Sequence, residues 1–396
     1  MILVRSGAHS AAAPAAGPSL RREREVAPLD FARFFAAQFV MLYHLVFLSW
    51  AEGAGTRGIR AVVGHPVSLP EQAWWSSLGW VGVQVFFVIS GFVILMSAEG
   101  KSGRDFVIGR IKRVAPALWF FSLCSACVLV STGVLPPFEA LTRLARSLVL
   151  YPMGPWIDGA VWTLVAEALF YAVIYLLIRA GWLGRLGRLA VVLTVFNATF
   201  WLAVLAGDAG ALGAAGAMLA DAAQSYRLRV TLVTTNAYFV LGAALYHIHA
   251  GRSGRFGAAI YWASFLAGFA ATYFAARSSI GVAQFGEAAL RAPIVWAAVV
   301  LTMSAAVLLR LGSGTRMRSV ARVLGLLTYP LYLINQICGG FLLRLAYDAG
   351  LPPGCAIALV AGACTGLAAA FSLLLERRLQ QRLEALLRRR WRPQPA

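Results

Sequence analysis

The stretch FARFFAAQFVMLYHLVF, residues 31–47, has the apolar character of a membrane-spanning helix, yet it contains Arg33 and His44. Eleven residues of an α-helix turn through about 1100°, so both side chains lie on one stripe, about 16 Å apart along the axis. An ionisable group at membrane depth is costly unless it faces a protein interior or a wet cavity. The stretch therefore predicts a spanning helix with a functional polar face.

The composition of the 396-residue chain indicates a polytopic membrane protein. Hydrophobic residues make up 60% of it and charged residues only 13%, values that soluble domains rarely reach. Its apolar segments predict an all-α fold, a polytopic membrane helix bundle of about ten transmembrane helices. The predicted spans are 31–50, 79–98, 114–132, 160–180, 189–206, 230–249, 257–275, 291–310, 325–346 and 355–375.

The basic residues outside these spans predict the orientation of the chain. With a cytoplasmic N-terminus, 25 Lys and Arg residues fall in cytoplasmic segments and nine in external ones. Because basic residues accumulate on the cytoplasmic side, both termini are predicted to be cytoplasmic. Segment 207–229 is apolar enough to be mistaken for another span, which would move the later arginines outside. We interpret it as an external loop or short surface helix.

Three parts of the chain differ in composition. Residues 1–27 are rich in Ala, Pro and Ser, without the apolar core of a secretory signal peptide, and predict a disordered cytoplasmic tail. Residues 28–376 form the membrane domain. Residues 377–396 predict a basic amphipathic tail that lies on the inner leaflet and is attracted to anionic membrane lipids.

Charge and cysteine content exclude two classes of function. The net charge of +19 does not indicate nucleic-acid binding, because the basic residues form short clusters between apolar runs. All five cysteines fall in apolar segments, and Cys124 with Cys127 lacks the second pair of ligands that a zinc site needs. We expect no metal site, no permanently bound cofactor and no nucleic-acid partner.

His44 and Glu167 are the catalytic candidates. Glu167, in VWTLVAEALFYAVIYLL, is the only carboxylate well inside a predicted span. Helix positions place His44 roughly 9 Å and Glu167 roughly 10 Å below the outer surface, so the two are expected to meet. An imidazole oriented by a carboxylate is a usable general base near pH 7. The alternative is that each makes a separate buried contact that holds helices together.

The segment GRIKRVAPALWF, residues 109–120, contains a candidate anion site. Arg110 and Arg113 lie three residues apart on one helix face, where two guanidinium groups can hold phosphates bidentately. The ordinary excess of positive charge on the cytoplasmic side explains them equally well.

The segment GWVGVQVFFVISGFVI, residues 79–94, combines polar and small residues in an apolar helix. Gln84 and Ser90 are polar groups at membrane depth. The glycines let neighbouring backbones come close, and a helix-packing face accounts for the whole pattern equally well. These glycines are Gly79, Gly82 and Gly91.

Five motifs in this order resemble the acyltransferase 3 family of integral membrane O-acyltransferases, over about residues 28–378. They are LDFARFFAA with the later YH, GVxxFFVISGFVI, RxxR before PALW, VWTLVAEALFY and LTYPLYLIN. The resemblance implies transfer of an acyl group, usually acetyl, from acyl-CoA as donor substrate to a hydroxyl group. The implied acceptor is a glycan or lipid-linked sugar, and the implied location is a bacterial inner membrane.

The resemblance also implies roles for individual residues. By position, His44 and Glu167 are catalytic, and Arg33, Arg110 and Arg113 bind acyl-CoA. Asn335 and Gln84 stand where many members have histidine and aspartate, so no proton transfer is assigned to Asn335 and no charged role to Gln84. Six residues are assigned to substrate binding or structural support: Gln84, Ser90, Trp162, Tyr171, Tyr332 and Asn335.

Several alternatives stay open at this stage. Transfer through an acyl-histidine intermediate fits the residues as well as direct transfer does. A transporter or flippase of a glycan precursor also needs polar groups at two depths of one helix. An acyltransferase acting on a small secondary metabolite, such as a macrolide, would share the core motifs. The sequence assigns neither the acyl chain length nor the oligomeric state.

Overall fold

A computed structural model of the chain describes residues 26–225, 228, 230–312 and 314–390. Every regular element in these ranges is helical, as the apolar segments predict. Residues 1–25 of the predicted N-terminal tail and residues 391–396 of the predicted C-terminal tail lie outside the described residues.

Long helices joined by short turns make up the bundle. In the first half they are α1 (Ala27–Ala51), α2 (Ile59–Val63), α3 (Ala73–Ser76), α4 (Val81–Ala98), α5 (Gly103–Ser131), α6 (Pro137–Leu148), α7 (Val161–Arg179) and α8 (Leu186–Asp208). In the second half they are α9 (Gly213–Gln224), α10 (Leu232–His249), α11 (Gly257–Arg277), α12 (Ile280–Phe285), α13 (Arg291–Leu308), α14 (Thr315–Ile334), α15 (Ile337–Asp348), α16 (Pro353–Ala370) and α17 (Arg377–Arg390). Short 3₁₀ turns precede α3 and α8.

All ten predicted spans coincide with helices, but eight helices among the described residues are long and apolar enough to cross a membrane alone. They are α1, α4, α5, α7, α8, α11, α13 and the continuous α16–α17. Helix α10 is not among them. Its sequence contains Asn236, His247 and His249, which lower its apolar character, and most of its residues are buried inside the bundle.

The predicted span 325–346 is a broken helix pair. Helices α14 and α15 meet at Asn335 and Gln336 with a bend of 73°. Taken together, the two helices are long and apolar enough to cross a membrane once. Pro330 precedes the break by one turn and removes a backbone donor from α14. A break inside an apolar segment is typical of places where the backbone lines a site.

Glycines set the closest helix contacts, as the sequence predicts for segment 79–94. A Cβ atom added at Gly91 of α4 would collide with the backbone of Phe239 in α10. The reverse contact is equally tight, since a Cβ at Gly242 would collide with the Val88 carbonyl. Only glycine permits this backbone-to-backbone approach, so α4 and α10 pack against each other at close range.

Segment 207–229 contains the 12-residue helix α9, which packs against the end of α8. Gly207 and Gly216 make the contact, and a side chain at either position would collide with the backbone of the other helix.

The C-terminal helix α17 is continuous with α16 and packs against α5. A π-helical stretch, Phe371–Glu376, joins it to α16 without interruption. It then packs along the first turns of α5, where Lys112 Nζ lies 2.6 Å from Glu384 and Arg388 lies 3.0 Å from Asp105. Part of the tail charge therefore holds two helices of the protein together, in addition to any attraction to lipid.

Candidate active site

A cavity of about 780 Å³, part of it open to solvent, runs between helices α1, α4, α5, α7 and α14. Among its polar lining residues, two groups mark different ends of the cavity, since Thr163 and Tyr171 lie eight residues, or about 12 Å, apart along α7. We call them the arginine end, defined by Arg33, Arg110 and Arg113, and the hydroxyl end, defined by Thr163 and Tyr332. The other lining residues are Val83, Phe86, Phe87, Ser90, Val93, Ile94, Val114, Leu164, Glu167, Tyr171, Thr328 and Tyr329.

The three arginines that the resemblance assigns to acyl-CoA binding all line the arginine end of the cavity. Arg33 projects from α1 and lies 3.5 Å from Asp30. Arg110 projects from α5 and stacks against two rings, with its Cζ 5.6 Å from the Phe106 centroid and 5.5 Å from the Tyr171 centroid. Stacked, partly buried arginines are pre-organised to bind phosphate groups.

Glu167 lies in the same cavity as the arginines. Its Oε1 accepts hydrogen bonds from Tyr171 Oη at 2.5 Å and from Ser90 Oγ at 3.2 Å. Tyr171 follows Glu167 by four residues on α7, and Ser90 faces it from α4. The carboxylate is therefore held by two hydroxyl groups in the same cavity that the three arginines line.

His44 has a different partner from the one predicted. Its Nδ1 forms a short hydrogen bond with Oδ1 of Asn335, and both side chains are buried, with 8% and 0% of their surface exposed. The expected contact between His44 and Glu167 is therefore a wrong prediction, although the structure does not test the catalytic role of either residue. Similar depth along two helices does not bring side chains together when they point to different neighbours.

Hydrogen bonds at Asn335 fix the tautomer of the imidazole. The Asn335 amide nitrogen donates to the carbonyls of Leu331 at 2.9 Å and Tyr332 at 3.0 Å, which orients its oxygen toward His44. Because that oxygen only accepts, Nδ1 of His44 carries the hydrogen and Nε2 carries the lone pair. Asn335 itself does not titrate, in keeping with the absence of an assigned proton transfer.

Local helix geometry places both partners. His44 lies in the π-helical stretch Tyr43–Leu48 of α1, and π stretches occur frequently at functional sites. Asn335 is the first residue after α14, at the 73° break. The pair thus joins two irregular points of the backbone.

The hydroxyl end lies one helical turn from this pair. Tyr332 precedes Asn335 by three residues, and its Oη lies 2.9 Å from Thr163 Oγ1 on α7. The Tyr332 ring also packs edge-on against Phe86, with centroids 5.6 Å apart. Thr163 and Tyr332 thus bring two hydroxyl groups together at this end of the cavity.

The remaining predicted support residues lie around the cavity. Ser90 and Tyr171 line it and bind Glu167. Trp162 packs edge-on against Phe87, with ring centroids 5.9 Å apart. Gln84 is buried, and its amide lies against the carbonyl oxygens of Trp80 and Val81 at 2.8 Å and 3.3 Å. Trp162 therefore packs between helices, whereas the Gln84 amide contacts the first turn of its own helix.

Asp158 is a buried carboxylate that the sequence interpretation missed, because it lies just before a predicted span. Only 4% of it is exposed, and its Oδ1 accepts from the Ala160 amide at 2.8 Å at the start of α7. It also lies against the Ile337 amide and the Ser125 hydroxyl. Burial nevertheless raises the pKa of Asp158 to about 6. The usable signal was an Asp followed by Gly just before a predicted span, a pattern typical of a turn in which the Asp side chain accepts from the amide two residues on.

Among the described residues, no three His, Cys, Asp or Glu side chains lie close enough together to hold a metal ion.

The fold and the cavity define a polytopic helical membrane protein with an internal cavity lined by three arginines. The chain belongs to the acyltransferase 3 family, since residues 26–375 match the family described as "Acyltransferase domain". The resemblance stated from the motifs is thus confirmed, and the protein is a membrane acyltransferase by family.

A curated relative gives a more limited comparison. Over 110 residues the chain is 32% identical to "Exopolysaccharide production protein ExoZ" of Rhizobium meliloti (strain 1021). The aligned part covers 24% of this chain and 33% of the relative, so the chain spans about a third of that protein's length. No solved structure matches the chain significantly.

Proposed function

We propose that the chain is a membrane O-acyltransferase that moves an acyl group, acetyl in the usual case of the family, from acyl-CoA to a hydroxyl of a cell-surface or exported glycan. The layout of the cavity carries this proposal. Arginines that suit the phosphates of coenzyme A lie at one end, and the other end lies one helical turn from a buried imidazole of defined tautomer.

The proposed orientation places both termini in the cytoplasm of a bacterial cell, with the bundle in the inner membrane. The eight long helices, α10 and the bent pair α14–α15 then supply the ten crossings. Arg33 lies near the start of α1, and Arg110 and Arg113 lie in the first turns of α5. In this orientation the arginine end faces the cytoplasm, where acyl-CoA is made.

Acyl-CoA enters from the arginine end, with its phosphates held by Arg110, Arg113 and Arg33. The pantetheine arm extends along the cavity and brings the thioester to the hydroxyl end. Glu167 balances the positive charge and orients the guanidinium groups through Tyr171, whose ring stacks on Arg110. The sequence suggested that Glu167 supports His44 directly. We propose instead that Glu167 acts on the arginines that bind the donor.

His44 acts as the general base. Asn335 holds Nδ1–H, so Nε2 takes the proton of the acceptor hydroxyl as its oxygen attacks the thioester carbonyl carbon. Collapse of the tetrahedral intermediate breaks the C–S bond, and the proton on Nε2 passes to the departing thiolate. The same tautomer allows Nε2 to attack the thioester directly and form an acyl-histidine, so both routes agree with this site.

The glycan acceptor rests on the comparison with a relative named for exopolysaccharide production. A lipid-linked sugar or a small secondary metabolite would use the same donor site and the same base. The acceptor class is therefore tested separately from the reaction.

Mass comparison of surface glycans from cells with and without the gene tests the proposal. We expect O-acyl groups to disappear from one glycan when the gene is deleted, and membranes containing the protein to release CoA from acyl-CoA when that glycan is present. A glycan that loses export but keeps its acyl groups, with no CoA release, would indicate the transporter or flippase instead.

A further inference from the structure

Tyr332 occupies a place that the mechanism above leaves without a role. It closes the hydroxyl end of the cavity, only 7% of it is exposed, and its ring is fixed against Phe86. Its hydroxyl is the polar group of α14 that reaches the cavity nearest to Asn335. A phenol at this position is well placed to meet the reacting end of the acyl donor.

The direction of its hydrogen bond follows from the neighbouring groups. Thr163 Oγ1 donates its only hydrogen to the Ala160 carbonyl at 2.9 Å. Tyr332 Oη lies 2.9 Å from Thr163 Oγ1 and 3.4 Å from the same carbonyl. With the Thr163 hydrogen on the carbonyl, the closer contact is a bond that Tyr332 donates to Thr163, and the longer one is a weak second contact. At rest, the Tyr332 O–H points to a neutral hydroxyl oxygen, which is a weaker acceptor than an anionic oxygen.

One turn of α14 links this phenol to the base. Tyr332 and Asn335 are three residues apart on one face, and the Asn335 amide nitrogen donates to the Tyr332 carbonyl at 3.0 Å. Asn335 in turn fixes His44. The phenol and the imidazole are thus held in relation to each other by a few short hydrogen bonds.

The other tyrosine hydroxyls that line the cavity are engaged elsewhere. Tyr171 Oη donates to the Glu167 carboxylate, and Tyr329 Oη donates to the Val114 carbonyl at 3.0 Å. A carboxylate or a carbonyl holds a phenol more firmly than a hydroxyl does. Tyr332 is therefore the cavity phenol that can exchange its partner at the lowest cost.

We propose that Tyr332 is a catalytic residue whose hydroxyl donates a hydrogen bond to the thioester oxygen as it becomes an oxyanion. When the acceptor oxygen adds to the carbonyl carbon, the C=O electron pair moves onto that oxygen, and the Tyr332 O–H turns from Thr163 to it. When the C–S bond breaks, the carbonyl re-forms and the O–H returns to Thr163. Tyr332 keeps its proton throughout, and His44 carries the proton from acceptor to thiolate. This inference rests on the proposed function.

Two substitutions separate an oxyanion donor from a structural contact, because each removes a buried hydrogen bond between a tyrosine and a threonine. Tyr332→Phe removes the donor at the cavity and is expected to lower kcat for acyl transfer by about 10²–10³-fold with little change in KM for acetyl-CoA. Tyr238→Phe is the matched control outside the cavity lining, since Tyr238 Oη lies 3.0 Å from Thr272 Oγ1, and it should leave kcat near the wild-type value. Tyr261→Phe, which loses a hydrogen bond to Ser304, carries the same test if the Tyr238 variant does not fold.

Acyl transfer from acetyl-CoA is measured in membranes that contain the acceptor glycan, with His44→Ala assayed beside the other variants. Equal losses in Tyr332→Phe and Tyr238→Phe, or wild-type kcat in Tyr332→Phe, would overturn the role of Tyr332. If the wild type transfers the acyl group and His44→Ala does not, either of these results affects Tyr332 alone. If the wild type and His44→Ala are equally inactive, the proposed function fails instead.

Discussion

The two ends of the cavity differ in the kind of polar group they present. The arginine end concentrates ionic charge, with three guanidinium groups and Glu167 in the lining of the same cavity. The hydroxyl end and the adjoining His44–Asn335 pair consist of uncharged donors and acceptors joined by hydrogen bonds. Ionic groups suit the binding of a phosphorylated donor, whereas a neutral network suits proton transfer in a dry setting. Binding and chemistry are therefore expected to respond to different substitutions.

The largest effect is expected at the neutral end. His44→Gln keeps a polar group of similar size but removes the base, so kcat should fall by about 10²–10⁴-fold while KM for acyl-CoA stays near the wild-type value. Steady-state transfer in membranes with equal protein content measures both constants. His65→Gln, at an exposed histidine that pairs with Asp348, is the control and should behave as the wild type. A rise in KM without a loss of kcat would show that His44 contributes to donor binding and not to the chemical step.

The arginine end should show the opposite pattern. Replacing Arg110 and Arg113 together with Gln is expected to raise KM for acetyl-CoA by at least about tenfold, because a hydrogen bond to a charged group contributes about 1.5–3 kcal/mol. Titration of transfer rate against acetyl-CoA concentration gives this value. Arg104→Gln changes a nearby arginine of α5 that contacts the Arg388 carbonyl, and it serves as the control for cytoplasmic charge. Unchanged KM in the double variant would reduce the two arginines to determinants of topology.

A smaller effect is expected at Glu167, and it decides to which end this residue belongs. Glu167→Gln keeps an acceptor for Ser90 and Tyr171 but removes the counter-charge, so kcat should change by less than about fivefold. If Glu167 supports His44 directly, kcat of Glu167→Gln should instead fall by about as much as kcat of His44→Gln. The same kinetic assay separates these results, and Glu167→Leu shows what loss of the hydrogen bonds adds.

The smallest effect concerns the pH dependence of stability. The pKa of Asp158 is about 6 in the folded protein and 3.8 ordinarily, so the fold binds its proton more tightly than the unfolded chain does. Its contribution to stability is full below about pH 4 and is lost as the pH rises to about 6. The melting temperature of wild type minus that of Asp158→Asn should therefore fall by a few degrees between pH 4.5 and pH 7. A melting-temperature difference that does not change with pH would show that folding does not raise the pKa of Asp158.

Much of the fold could be predicted because it depends on local composition. Apolar segments marked the helices, and glycines on one segment marked the closest contact, which the structure places between Gly91 and the backbone of Phe239. Arg110 and Arg113 share the cavity because three residues span nearly one turn. These inferences require only helical periodicity.

The partner of His44 could not be predicted in the same way. Depth along a helix follows from the sequence, but the direction of a side chain around the bundle depends on packing. The π stretch at Tyr43–Leu48 shifts the helical register, and the 73° break after α14 brings Asn335 to the imidazole. Neither irregularity has a clear sequence signal apart from Pro330, so the nearest carboxylate at equal depth was the natural but wrong choice.

The central claim is that this chain acylates a glycan through His44. The most direct measurement is the O-acyl content of surface glycans in gene-deletion cells that express either the wild type or His44→Ala, with both proteins present in the membrane at equal levels. We predict that the wild type restores O-acylation and that His44→Ala does not. Full restoration of O-acyl groups by His44→Ala would contradict the account.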